Sequence, residues 1–401
     1  MTTTDTEILI IGGGIAGASA AYHLARQGHR VALLERNEIA SEASGVNAGN
    51  IGAMGWGNRP NLNSYLTMGS LEIFKSLQLD LNYDIEFRQS GCVEAIQTPE
   101  EYEYARAMVL RLKAAGYSLD LMTTREGRSL EPGINPDLPG LVYLPLRAQA
   151  DPRKATQALA DAAASEGASI LTGHPVTAVS RQANGTFQVE TNRDAYRSRQ
   201  LVIAAGAWCR PVGEMLGLDI PIFPVRGQMW ATEALAPHIF QTISATESPL
   251  QWHQDSGQQP GVPPELTHRG DQRVTRHLYG RQRRNGEVIF GGDRQLLGYD
   301  PGTDATGVEV NRGHAIELFP DLASYPINRV WSGLMPFSFD GKPIIGAIPQ
   351  VDNLFIVSGL CSSGFGRGPM AGKLLADLMH DGSRPAPMSE ADPARCITRQ
   401  E

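Results

Sequence analysis

The chain has 401 residues, of which 19% are charged and 41% hydrophobic, with a formal net charge of −8. That length supports two domains or more, and the acidic balance argues against a nucleic-acid partner. Four cysteines (Cys92, Cys209, Cys361, Cys396) show neither C-x-x-C nor metal-ligand spacing, so no metal site is expected and a reducing, cytoplasmic location is the default.

The first elements predict a complete βαβ unit. Ile8 to Ile11 is an apolar run of strand length, and Gly12, Gly14 and Gly17 fit G-x-G-x-x-G. Ala16 to Arg26 is rich in helix formers with Gly28 placed to cap it, and Arg30 to Leu34 is a second strand ending in Glu35. The first glycine allows a tight turn, the second lets the backbone approach a pyrophosphate at the helix N-terminus, and the third lets helix and strand pack closely. Glu35 stands where an acid accepts hydrogen bonds from ribose hydroxyls, which favours FAD or NAD over NADP. The glycines, Arg26 and the acidic start (Asp5, Glu7) argue against a signal peptide or membrane span, and no other transmembrane candidate is seen.

The next stretch, RNEIASEASGVNAGNIGAMGWGN, is small, polar and glycine-rich, suited to wrap a ligand closely. Helices are predicted over Leu62 to Leu81, Pro99 to Gly116 (capped by Thr98) and Asp151 to Gly167 (capped by Asp151, with Pro152 at its first position). Strands are predicted over Arg88 to Gln97, Gly140 to Pro145, Ala168 to Leu171, His174 to Val179 and Phe187 to Thr191. LVIAAGAW, Leu201 to Trp208, reads as a buried strand ending in Ala-Gly, at the edge where open α/β sheets bind ligands. Pro221 to Thr232 and Val274 to Gly292 read as strands of a second sheet. Between them Ser248 to Gly270 is a long loop, either a lid or a disordered insert. Arg269, Arg273, Arg276, Arg281, Arg283 and Arg284 form a basic run, read as a solvated hairpin edge or a contact with an anionic substrate or partner subunit. His253 and His268 are expected to face solvent. Near the end, Gly359, Gly364 and Gly366 precede a helix from about Pro369 to Met379, a second helix N-terminus open to an anionic or electron-rich group.

GGGIAG…LLE, SGVNAG, VIAAGAW, PVRGQM, RQRRNGEVIFGG, GLMPFSFDGKPIIG and GLCSSGFGRGPMAG occur in the order of the FAD-dependent D-amino acid oxidase superfamily. The chain resembles its glycine oxidase, sarcosine oxidase and amino-acid dehydrogenase branch over nearly its whole length. The resemblance implies an α/β fold, with a Rossmann-type FAD-binding domain and a second α+β substrate domain built on a large mixed sheet. The expected FAD-binding segments are 1–85, 151–222 and 333–390, and the substrate domain 86–150 and 223–332, with a tail at 391–401. Gly12, Gly14, Ile15, Ala16, Gly17, Glu35, Arg36, Ala43, Ser44, Ala48, Gly49 and Asn50 would bind FAD. Val176, Gly206 and Gly333 would join them, with Ser363, Gly364, Phe365 and Gly366 around the isoalloxazine ring.

The implied reaction moves a hydride from the carbon beside an amine nitrogen onto flavin N5, leaving an imine that water hydrolyses. Tyr279 matches a tyrosine that faces the substrate, and Asn50 also belongs to that pocket. Two arginines that hold the substrate carboxylate in glycine oxidase fall at Met335 and Ser362, so Arg281 or Arg226 would have to anchor an acid from another wall, or the substrate carries no nearby carboxylate. The cysteine that links flavin covalently in monomeric sarcosine oxidase falls at Gly333, and SEASGVNAG has no counterpart of a flavin-linking histidine; FAD is therefore expected to be non-covalent. The lysine that activates oxygen in monomeric sarcosine oxidase falls at Gly298, which favours a dehydrogenase. The expected function is FAD-dependent oxidation of a small-molecule amine or amino acid, by a homo-oligomer or with a partner electron-transfer subunit. The alternatives are the flavin subunit of a hetero-oligomeric dehydrogenase, or a tailoring flavoenzyme that does not deaminate simple amines.

Overall fold

The computed structural model describes residues 3–247, 250, 268, 269, 272, 273 and 277–400. The loop predicted over 248–270, with His253, falls almost entirely outside the described residues, as does Arg276. Of His268, Arg269 and Arg273 the backbone alone is described, in the paired strands His268–Arg269 and Gln272–Arg273.

The first sheet runs in the order Ile344–Ala347, Leu354–Ser358, Ala195–Ile203, Thr3–Ile11, Val31–Leu34 and Ser169–Leu171. All neighbours on this path are parallel except the outermost pair, Ile344–Ala347 with Leu354–Ser358. The helix Ile15–Arg26 is buried from Ile15 to Ala25, which its run of alanines permits. It packs between Pro152–Ser165 and Gly364–Asp381. The approach to the latter is so close that a Cβ on Gly372 would stand 2.5 Å from the Ala16 carbonyl oxygen. Gly28 follows the helix at φ +90, the left-handed conformation its sequence position predicts.

The second sheet runs Arg329–Ser338, Ile222–Ala234, Glu287–Gly291, Tyr279–Gln282, Thr242–Ala245, Cys92–Ile96, Gly140–Leu144 and Asp120–Met122. The segment expected as strands over Val274 to Gly292 contains the hairpin Tyr279–Gln282 and Glu287–Gly291. Its register draws a straight row across the sheet, from Met229 through Gly291, Tyr279 and Ser244 to Glu94. Residue 333, the expected start of the last FAD-binding segment, lies inside a strand. Arg329–Ser338 pairs with Ile222–Ala234 without a break from Ile222↔Ser338 to Ala231↔Arg329, so the chain changes sheets only after Ser338. The final residues are tied down: Thr398–Arg399 pairs with Leu218–Asp219, and Ile397 is buried.

Candidate cofactor and substrate cavity

A cavity of about 610 Å³ is lined by residues of both sheets. Its walls include Gly12, Gly14, Ile15, Ala16, Glu35, Arg36, Ala43, Ser44, Val176 and Gly206. Gly12 has φ +118, and a Cβ there would be 2.4 Å from the Ala204 carbonyl oxygen. Gly17 does not line the cavity. A Cβ on it would meet the Gly12 carbonyl oxygen at 2.1 Å, so its role is to let the helix approach the turn. Gly14 is the helix N-cap and offers no side-chain cap, while Ile15 N–H donates to Ser44 Oγ at 2.9 Å. The buried Glu35 carboxylate accepts from the N–H groups of Gly13 (2.8 Å) and Asn37 (2.9 Å). The Arg36 guanidinium lies 3.7 Å from the centre of the Trp208 ring and bonds Glu42.

Further along are Ala48, Asn50 and Gly333. Gly49 is not on the wall; at φ +81, it packs so that a Cβ would be 2.0 Å from the Ala150 carbonyl oxygen. A Cβ on Gly333 would stand 2.5 Å from Val46 Cγ2, which leaves little room for a cysteine there. Ser362, Ser363, Gly364, Phe365 and Gly366 form the next wall. They open the helix Gly364–Asp381, which starts earlier than predicted, carries Pro369 inside it and has no side-chain N-cap bond.

Tyr279, Met335, Ser362 and Asn50 also line the cavity, together with Arg294, Arg367 and His277. Arg294 Nη2 donates to Ser362 Oγ at 2.9 Å, and its guanidinium lies 5.4 Å from the centre of the Phe337 ring. Burial lowers Arg294 to about 10, still a cation at neutral pH. Burial also lowers Arg367. His277 is pushed well below its ordinary value by burial and by the neighbouring Arg294 charge, so its imidazole is neutral. Burial raises the Tyr279 hydroxyl.

Two predicted anchors are corrected by the structure. Arg281, 1% exposed, does not line the cavity. Its Nε bonds the Ala48 carbonyl, Nη1 donates to Gln149 Oε1 at 3.1 Å and Nη2 to the Ala150 carbonyl at 3.1 Å. Arg226 likewise faces Gln295 (Nε to Oε1, 3.0 Å) and Asp300 (Nη1 to Oδ2, 3.0 Å). The hairpin's other arginines are paired: Arg283 with the buried Asp151 and with Glu287, and the exposed Arg284 with Asp84. The motif reading missed Arg294 and Arg367, although their signals were present. Arg294 stands two residues after the Gly291–Gly292 pair that ends the apolar strand, and Arg367 lies inside the terminal glycine-rich motif.

Among the described residues no group of three or more His, Cys, Asp or Glu could hold a metal ion, and no helix is long and apolar enough to cross a membrane. The four cysteines form no disulfide.

A two-sheet fold with a glycine-walled dinucleotide cleft defines a class of nucleotide-cofactor oxidoreductases. The family profile of the FAD dependent oxidoreductases (DAO) matches residues 7–378, and the chain belongs to that family. FAD is its cofactor. The glycine oxidase of Geobacillus kaustophilus (strain HTA426) is 26% identical over 387 residues, 93% of this chain and 92% of the relative. The mitochondrial dimethylglycine dehydrogenase of Rattus norvegicus is 28% identical over 415 residues, 97% of this chain but 44% of the longer relative. A crystal structure of glycine oxidase from Geobacillus kaustophilus superposes with a TM-score of 0.84 at 24% identity, covering 98% of this chain and 100% of that one. The donor set fits the cofactor: a helix N-terminus whose N-cap Gly14 brings no capping side chain, glycines whose Cβ atoms would close the turn, and a buried carboxylate held by backbone N–H groups.

Proposed function

We propose that this protein oxidises the carbon–nitrogen bond of a small amino acid or N-substituted amino acid, with its carboxylate held by Arg294. The observation that carries this reading is the Arg294–Ser362 contact of 2.9 Å inside the cavity. Ser362 stands where the resemblance places a carboxylate-binding arginine, and Arg294 brings a guanidinium to the same spot from the segment that follows the strand Glu287–Gly291. Relatives named for glycine and dimethylglycine are in keeping with such a substrate.

Bound FAD supplies the hydride acceptor. Glu35 and the N-terminus of Ile15–Arg26 would hold its ribose and pyrophosphate, and the Ser362–Gly366 turn its ring. The tight space beside Gly333 supports non-covalent attachment. Arg294 would pair with the substrate carboxylate, with Arg367 a second guanidinium on the same cavity wall. The same positive charges favour the neutral form of the substrate amine over its ammonium, which frees the nitrogen lone pair to assist hydride departure. Neutral His277 adds no opposing charge. The departing imine is hydrolysed by water.

On this reading the first sheet and its helices form the FAD-binding part and the second sheet the substrate part. Four free cysteines suit a reducing, cytoplasmic location.

The test is anaerobic. Holoenzyme is titrated with amino acids, N-methylated amino acids and amines lacking a carboxylate, and bleaching of the oxidised flavin band is followed. Bleaching by carboxylate-bearing amines, much weakened in Arg294→Ala, is expected. Bleaching by simple amines alone would remove the carboxylate role. An oxidised flavin throughout, still reducible by dithionite, would overturn amine oxidation for this panel. Reoxidation on admitting air then separates oxidase from dehydrogenase, and a co-purifying subunit would point to a partner electron carrier.

A further inference from the structure

The cavity does not end at Tyr279. Its wall continues along the sheet row to Ser244 and Glu94, and Arg147 lines the same space. Successive residues of the row lie one strand spacing apart, so the Glu94 backbone stands about 10 Å from that of Tyr279. Residues paired in register project from the same face of a sheet, which is why Tyr279, Ser244 and Glu94 all line the same cavity.

Glu94 is 5% exposed. Its carboxylate accepts two hydrogen bonds, from Ser244 Oγ at 3.4 Å and Thr246 Oγ1 at 3.3 Å. Both are long for an ionised acceptor, and a carboxylate offers about four acceptor positions. Among the described residues no Lys, Arg or His nitrogen forms an ion pair with it. Arg147, the guanidinium of this region, sends Nη1 to Cys92 Sγ at 3.5 Å instead, and its Nε is buried without a hydrogen-bond partner. The Arg147 guanidinium attracts the Glu94 charge without bonding it, so a cation that reached the carboxylate directly would supply the charge-assisted hydrogen bonds it lacks.

We propose that Glu94 is a specificity-determining residue that binds a second, basic nitrogen on the substrate. This rests on the amine-oxidising reading of the cavity. The reacting amine and its carboxylate would sit by Tyr279 and Arg294, and the side chain would run along the row with its terminal ammonium at Glu94. An arm of three or four carbons, helped by the length of the Glu94 side chain, covers the distance. The substrate class is therefore the diamino acids, in preference to neutral amino acids of the same length.

The test compares isosteric pairs on the holoenzyme under anaerobic conditions: lysine with norleucine and ornithine with norvaline, in both enantiomers. Two readouts are taken from each titration, the spectral perturbation of oxidised flavin (binding) and its bleaching (reduction). Expected is at least tenfold tighter binding of a basic member than of its neutral isostere, with Glu94→Gln collapsing that ratio towards one. Equal binding of the two, or a ratio unchanged in Glu94→Gln, overturns the inference while leaving amine oxidation intact if bleaching occurs. Bleaching by none of the four compounds argues against amine oxidation of this class, and the binding ratio still decides the role of Glu94. No binding of the basic members overturns it. Glu94→Asp, which keeps the charge, should retain much of the ratio if the first variant folds poorly.

Discussion

Arg294 and Ser362 meet at 2.9 Å although 68 residues separate them. The contact places a guanidinium beside the terminal glycine-rich turn, where this chain carries a serine. Replacing Arg294 by Ala should therefore weaken binding of a carboxylate-bearing substrate about 30-fold or more, the effect of removing one partner of a buried charge pair. Arg294→Lys should recover part of it, since the charge remains but the fork is lost. Anaerobic titration of the flavin band measures both.

Arg281 predicts a different phenotype. Its three nitrogens serve acceptors at Ala48, Gln149 and Ala150. Arg281→Met should orphan the Ala48 and Ala150 carbonyls, while Gln149 Oε1 keeps its bond from Arg88 Nη2 at 3.0 Å, and cost about 3 kcal/mol of stability. Because Ala48 lines the cavity, flavin retention should fall with it. Thermal melting and the flavin-to-protein absorbance ratio would both drop, whereas loss of a substrate anchor would leave both in place.

Gly17 tests the dinucleotide turn. An alanine Cβ would sit 2.1 Å from the Gly12 carbonyl oxygen, so the helix must shift and carry its N-terminus away from the ligand. Gly17→Ala should purify largely without FAD. Gly28→Ala is the control: its Cβ meets nothing within 4 Å, though its φ of +90 disfavours alanine. It should lose about 1–2 kcal/mol of stability and keep its flavin.

Glu131 gives a pH dependence. Burial raises its carboxyl to about 8, against two backbone N–H donors at Phe240 and Gln241. The unfolded chain loses this proton near 4.5. Between those values the folded state holds more protons, so stability falls as pH rises from about 4.5 to 8. The Glu131 contribution should be on the order of a few kcal/mol, and Glu131→Gln should abolish that part of the slope. Denaturant melts at pH 5 and pH 8 on both proteins provide the comparison.

The dinucleotide unit was legible in the sequence because its causes are local: a turn that needs glycine, a helix that follows it and an acid one strand later. The substrate wall was only half legible. Alternation along a strand correctly puts Tyr279 and Arg281 on one face. It does not show that Ala48 and Ala150 roof Arg281 while leaving Tyr279 open. Arg294 matters through a contact made by the fold, and a motif comparison that asks what stands at position 362 finds only serine. Glu94 was hidden for the same reason: its link to Tyr279 is cross-strand register, which depends on three separate segments.

The first sheet also has a consequence for how the protein is made. Thr3–Ile11 lies beside Ala195–Ile203, which in turn lies beside Leu354–Ser358, and the helix Ile15–Arg26 is covered by Gly364–Asp381. A ribosome thus delivers the dinucleotide unit well before its cover. Until nearly the whole chain has emerged, an almost wholly apolar helix has one flank uncovered. Flavin loading should accordingly be a post-synthetic event, and fragments ending before residue 364 should be prone to aggregate.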